Sequence, residues 1–323
     1  MIKKSEKGNF NFIQFDKQSI ENYFSPRSGE TRVGDFDLKN SKAKYVILGI
    51  EESIGPLANH GLPGSEDAFE SFLRVFLNSQ VYPGINMDEV FILGSIKQHS
   101  TFSSLQDASE QVYELDEFVF QILLNSINEN QIPIVIGGGH NNAYPLIKWS
   151  SKKGLVNVLN LDPHADCRKT DRRHSGNSFS YAIDENILNE YVVLGLHEAF
   201  NNAFIRDYLK IKNVKHTFYE DYLIGNRSLI EDAFETINSW NQMKQQIGLE
   251  IDMDSISNMP SSACSPSGWA LDQVRSYLML ISSKIKKTAY LHLPEAGPKN
   301  ELESKIVGKA LTYLVRDFVL HSK

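Results

Sequence analysis

Three short segments of this chain could do chemistry together. Asp162-Pro163-His164-Ala165-Asp166 sets an imidazole between two carboxylates, each two residues from the next. In extended backbone alternate residues share a side, so all three side chains would face one point. Pro163 restricts Asp162 to extended geometry and suits a strand end. Asp252-Met253-Asp254 repeats the spacing with two acids, and Gly137-Gly138-Gly139-His140 closes a glycine run on a second imidazole. Four aspartates in one place repel one another and resist ionisation unless cations neutralise them. Two divalent ions answer that need, and carboxylate-rich ligation with imidazole suits a fairly hard ion, Mn2+ ahead of Zn2+ or Fe2+. The expected metal ligands are His140, Asp162, His164, Asp166, Asp252 and Asp254.

Taken singly, each segment is weak. A D-x-H-x-D string can be a surface turn, and a glycine run can cradle a phosphate. The glycine run here lacks the Lys-Ser/Thr ending of a nucleotide loop. Position strengthens the case. Apolar runs suitable for strands occur at Tyr45–Ile50, Val90–Leu93, Ile132–Ile136, Val156–Leu161, Tyr191–Leu196, His216–Tyr219, Ile247–Met253 and Ala289–Leu293. Between them, apolar residues at helical spacing mark Asp107–Asn128, Ser228–Trp240, Leu271–Lys286 and Ser304–Leu320 as helices. Strand followed by helix, repeated, predicts an α/β domain with a mostly parallel sheet covered on both faces. Functional groups in such sheets collect at the carboxyl ends of strands. His140, Asp162–Asp166, Asp252–Asp254 and Glu295 all fall there.

The chain has 323 residues and a formal charge of −7, with no basic stripe, which argues against nucleic-acid or anionic-membrane partners. No apolar run reaches the roughly 20 residues of a membrane span. Two cysteines, Cys167 and Cys264, make no disulfide framework and fit a reducing, cytoplasmic setting. Residues 1–43 read as an N-terminal extension wrapping the core, and 44–323 as one domain.

The segments Gly137–His140, Asn160–Asp166, Glu250–Asp254 and Glu295-Ala296-Gly297-Pro298 together resemble the ureohydrolase (arginase–agmatinase–formimidoylglutamase) family in order and spacing. The resemblance implies a three-layer α/β/α fold with an eight-stranded, mostly parallel sheet, two Mn2+ ions and a homo-oligomer. By analogy His140 and Asp166 hold one ion, His164 and Asp254 the other, and Asp162 and Asp252 bridge both. The family's Asp-Pro after the second aspartate motif is replaced by Ser257 and Asn258, and its leading Ser by Glu250. Where arginases carry a proton-shuttling His before Gly, this chain has Ser175-Gly176-Asn177, with His174 one residue early. That Ser-Gly is similar to formimidoylglutamases, as is Arg168 two residues after Asp166.

The function implied is that of a binuclear metal hydrolase of linear amidines. N-formimidoyl-L-glutamate, an intermediate of histidine degradation, is the expected small-molecule substrate, giving L-glutamate and formamide. Asp166 and Glu295 are the expected catalytic residues, Asp166 moving a proton to the leaving nitrogen and Glu295 pairing with the cationic amidine. Arg168, Ser175, Asn177, Glu198 and Glu295 are the expected substrate contacts, with Arg168 on the acidic tail and Glu198 at the position whose acid contacts the substrate amino group in arginases. The alternatives are an arginase- or agmatinase-type enzyme releasing urea, and a non-catalytic metal-binding scaffold. Arg168, Arg172 and Arg173 also read as a solvated charged loop, His174 and His197 as structural or loop residues, and Glu250 as a strand-end residue behind the ligands.

Overall fold

The computed structural model describes residues 4–81 and 83–322. Among them ten strands form one sheet in the order β1-β2-β4-β3-β5-β10-β9-β6-β7-β8. The strands are β1 (Lys4–Lys7), β2 (Phe10–Gln14), β3 (Tyr45–Glu51), β4 (Val90–Gln98), β5 (Ile132–Ile136), β6 (Val156–Leu161), β7 (Glu190–Leu196), β8 (Lys215–Phe218), β9 (Gln246–Ile251) and β10 (Thr288–Leu293). β3 to β10 run parallel and correspond to the eight strands expected from the apolar runs. The count of eight is corrected to ten by the N-terminal segment. Its hairpin, β1 and β2, pairs antiparallel with β4 and covers that edge.

Period-two alternation divides each central strand between two cores. In β3, Tyr45 and Ile47 face one side while Val46, Leu48 and Ile50 face the other. The first core is closed by the helices Ala68–Phe76, Leu229–Gln242, Leu271–Ser282 and Glu301–His321. Leu105–Ser126, Ala143–Ser151, Ser178–Asp184 and Ala203–Ile211 close the second. The molecule is thus a three-layer α/β/α sandwich. No helix among the described residues is long and apolar enough to cross a membrane.

The strand order has one consequence for chemistry. β5, β10, β9 and β6 are four neighbours at the centre of the sheet. Adjacent strands lie only about 4.8 Å apart, so segments that continue from these strands emerge side by side although they are up to 155 residues apart in sequence.

Candidate metal centre and its cavity

Each element delivers its residue by a turn, and the turns are not the extended backbone that the spacing suggests. β6 ends at Leu161, and the carboxylate of Asp162 accepts the backbone N–H of His164 at 2.7 Å. β9 ends at Ile251, and Asp252 accepts the N–H of Asp254 at 2.7 Å. Both motifs are therefore aspartate-capped turns, in which the first carboxylate folds the chain back by capping the amide two residues on. Asp166 then sits at φ +47°, which ends any strand alternation. Convergence of Asp162, His164 and Asp166 is real, but its cause is this fold-back.

His140 is reached through Gly137 and Gly138, both left-handed at φ +83° and +69°. A Cβ on Gly138 would stand 2.5 Å from the Asn142 amide and 2.9 Å from Glu52, so glycine is required by space as well as by φ. Glu52, just beyond β3, organises this loop from beneath. Its carboxylate accepts the N–H groups of Gly139 (2.8 Å) and Gly55 (3.0 Å) and the side-chain amides of Asn142 (2.7 Å) and Asn141 (3.2 Å). Sequence reading missed Glu52, because a lone acid after a strand has no distinguishing pattern.

The gathered groups form two abutting clusters. His140 Nδ1 lies 3.1 Å from Asp162 Oδ2, 3.1 Å from Asp166 Oδ2 and 2.9 Å from Asp252 Oδ2. His164 Nδ1 lies 3.6 Å from Asp162 Oδ1 and 3.8 Å from Asp254 Oδ2. The two oxygens of Asp162 thus face different imidazoles. His140, Asp162, Asp166 and Asp252 each offer a ligand atom, and these atoms lie within 4.8 Å of one another. An imidazole nitrogen and three carboxylate oxygens turned on one point, without conventional hydrogen bonds from His140, fit a divalent cation.

The electrostatics agree. Burial raises the pKa of Asp252 well above the usual carboxylate range, and the charges of Asp162 and Asp254 add to it. Asp166 is raised by burial and by Asp162. Burial also opposes ionisation of Asp162, but His140 and His164 outweigh it and hold Asp162 low. Such a set is stable as full anions only with positive charge among them.

A cavity of about 280 Å3 opens onto this cluster. Its wall includes His164, Asp166, Asp252, Asp254 and Glu295, together with Arg168 and Ser175. His140 and Asp162, both fully buried, stand behind. Glu295 holds φ +70° and accepts the N–H of His140 through Oε1 at 2.7 Å. Its Oε2 is buried without a partner, and burial, helped by the charge of Asp254, pushes its pKa up to about 8. Phe200, Leu62 and the Asn59–Gly61 loop complete the rim.

Not every expected contact arrives there. Asn177 is fully buried outside the cavity wall, its amide spent on Arg173 (2.8 Å), Arg172 O (2.6 Å) and Lys169 O (3.0 Å). Glu198 is exposed on a short helical turn beyond the wall, where its N–H faces Glu220. Arg173, read with its neighbours as part of a solvated loop, is also fully buried. It binds Asp116 through two nitrogens at 2.8 and 3.0 Å, and donates to the carbonyls of Asn141 and His174. His174 is structural: its Nδ1 accepts the N–H of Gly176 at 3.1 Å. Cys167 packs in the second core, and both cysteines are free.

The protein is an α/β/α sandwich that carries an acid-rich imidazole cluster, fit to hold a divalent metal, at the carboxyl rim of its central parallel strands. The chain belongs to the arginase family, whose model matches residues 44–320. A formimidoylglutamase from Staphylococcus aureus is 24% identical over 201 residues, covering 61% of this chain and 61% of that protein. That match spans less than two thirds of the relative's length. Two solved structures share the fold. Bacillus subtilis formimidoylglutamase has a TM-score of 0.69 at 19% identity, over 93% of this chain and 98% of that one. Trypanosoma cruzi formiminoglutamase, solved with Mn2+, has a TM-score of 0.68 at 20% identity, over 90% and 99%.

Proposed function

We propose that this protein is a binuclear metal hydrolase of linear amidines, acting on N-formimidoyl-L-glutamate to give L-glutamate and formamide in the cytoplasm. The observation that carries the reading is one cavity that joins a floor fit for two cations to a carboxylate with one unpartnered oxygen, Glu295 Oε2, and a guanidinium, Arg168. His140, Asp162, His164, Asp166, Asp252 and Asp254 would hold the ions. Two Mn2+ ions suit this donor set, as in the T. cruzi relative. When bound, such ions acidify water by several pKa units, so that a nucleophile is available at neutral pH.

The chain's own groups do the rest. An amidinium entering the cavity meets the free oxygen of Glu295, and the new cation offsets the burial that raised its pKa. That pairing turns the planar amidine carbon toward the cluster. Asp166, at the cavity wall, accepts a proton from the attacking water and delivers it to the nitrogen that leaves with glutamate. Arg168 grips a carboxylate of the substrate, with Ser175 beside it on the wall. A cationic tail such as that of agmatine would be repelled there.

The test is product analysis on Mn2+-loaded protein offered N-formimidoyl-L-glutamate, arginine, agmatine and guanidino acids. Formamide and glutamate from the first substrate alone is the expected result. Urea from a guanidine would move the protein to the arginase or agmatinase type. No turnover at full metal loading would make it a metal-binding scaffold.

A further inference from the structure

One row beneath the ligands, the central strands carry polar side chains where the pattern calls for apolar ones. On the second-core face Glu250 follows Gly248 in β9 and His292 follows Tyr290 in β10, while the opposite face of these strands carries Ile247, Leu249, Ile251, Leu291 and Leu293. The two are direct register partners, and Glu250 is also paired with Asn160 of β6. All three are buried at 0–1% exposure. A buried carboxylate is costly unless its partners repay it, and apolar residues of similar size usually serve a core as well or better. The row therefore calls for a reason beyond packing.

Its contacts supply one. Glu250 Oε2 lies 2.6 Å from His292 Nδ1 and 3.3 Å from His140 Nε2. The opposite nitrogen of His140, Nδ1, faces Asp162, Asp166 and Asp252. A neutral imidazole carries one N–H and one lone pair. A cation among the three carboxylates at Nδ1 would take the lone pair there and leave the N–H on Nε2, where Glu250 Oε2 stands 3.3 Å away, off the line of a hydrogen bond in the metal-free geometry. His292 obeys the same rule: its Nδ1–H donates to Glu250, and its buried Nε2, without a partner, is the bare lone pair. Asn160 supports the neighbouring ligand in parallel, its amide donating to Asp162 Oδ2 at 3.0 Å.

We propose that Glu250, held by His292, is a positioning residue that fixes the tautomer and ring orientation of His140 and thereby sets the affinity of one cation position and not the other. The inference rests on the proposed two-ion site and adds an asymmetry to it. Only His140 has such a carboxylate relay behind it among the described contacts. His164, at the cavity wall, is placed instead by its stacking on Phe200 at 5.4 Å.

The experiment titrates metal-free parent, E250L and E250Q with Mn2+ in calorimetry. It also records the downfield imidazole N–H resonances of the Zn2+-loaded proteins. In the parent two ions should bind, with slowly exchanging N–H resonances from His140 and His292. E250L should weaken one ion roughly ten- to a hundredfold, the usual effect of losing such a support, leave the other unchanged, and abolish the His140 resonance. E250Q, which keeps the shape and an acceptor oxygen, should lose less and shift that resonance upfield. It also carries the test if E250L fails to fold. Unchanged binding of both ions in the variants overturns the inference, as does equal weakening of both. A parent that binds no metal overturns the two-ion reading itself and this inference with it.

Discussion

Asp166 and Glu295 hold left-handed backbone at φ +47° and +70°, a conformation that non-glycine residues adopt rarely and at functional sites more than elsewhere. Each is thereby aimed at the cavity that regular strand geometry would have carried it past. At this scale the site is a set of single charges, and single substitutions test it. Asp252→Ala removes a carboxylate of the proposed two-ion site, so purified variant in excess Mn2+ should show no turnover. Activity retained in that assay would defeat the scheme. Arg168→Ala leaves the acid–imidazole cluster intact and removes the proposed charge-assisted contact with the substrate, worth about 1.5–3 kcal/mol. KM for N-formimidoyl-L-glutamate should rise by about one to two orders of magnitude, with a smaller change in kcat. His174 tests the support behind the cavity. Burial, with Arg173, Arg168 and Arg172 adding to it, lowers its pKa to about 3. The unfolded chain, with an ordinary histidine pKa of 6.5, therefore binds a proton that the native state refuses. Stability from this residue is complete above pH 6.5 and is lost as pH falls toward 3. At pH 5 the loss is roughly 2 kcal/mol, at about 1.4 kcal/mol per pH unit. Asn in its place keeps a capping oxygen for the Gly176 N–H. Urea midpoints of metal-free H174N should therefore fall less between pH 7 and pH 5 than those of the parent.

Elements are joined behind the site by charges that never see water. Arg173 ties the Leu105–Ser126 helix, through Asp116, to the loops that carry His140 and Ser175. Tyr144 and Tyr181 close over the guanidinium at 5.1 and 5.2 Å. Removing one member of a buried pair leaves the other charge stranded, typically at a cost of about 3–5 kcal/mol. Arg173→Met should lower unfolding stability by that order in urea titrations. The double variant R173M/D116L should recover part of it, the remainder reflecting the carbonyls of Asn141 and His174 left without donors. Equal destabilisation by the single and double variants would show that the ion pair is not the source. Local reading could not find this key. Arg173 comes directly after Arg172 in a polar stretch, and nothing in the adjacent residues says that Asp116, 57 positions earlier, lies against it.

At the scale of the molecule, the N-terminal segment is more than a wrapping. Phe10 and Phe12 of β2 are fully buried in the second core, while Phe15, Ile20, Val33 and Leu38 join the first. Each buried aromatic or aliphatic side chain contributes about 1.5–3 kcal/mol. β2 also occupies the edge that β4 would otherwise leave open to another chain. A chain lacking residues 1–14 should melt at lower temperature and self-associate, as read by calorimetry and light scattering, while its folded fraction keeps the metal affinity of the parent. An unchanged melting temperature and a non-associating chain would mean that the core and sheet edge do not need the hairpin.

The amino-acid sequence alone determined the fold class, the eight parallel strands and the identities of the acids and imidazoles that gather, because periodicity and strand-end position report local backbone and burial directly. It also placed Arg168, Ser175 and Glu295 with that group, whereas Asn177 and Glu198 lie off the cavity wall. Only the tertiary structure decided that β9 and β10 insert between β5 and β6, which sets four rims side by side. Only there, too, do Asp162 and Asp252 become turn caps, Arg173 a buried key, and Glu250 the partner of His292 and His140. These outcomes depend on which distant segments become neighbours. That choice is made by the energy of the whole packed chain, and no local pattern carries it.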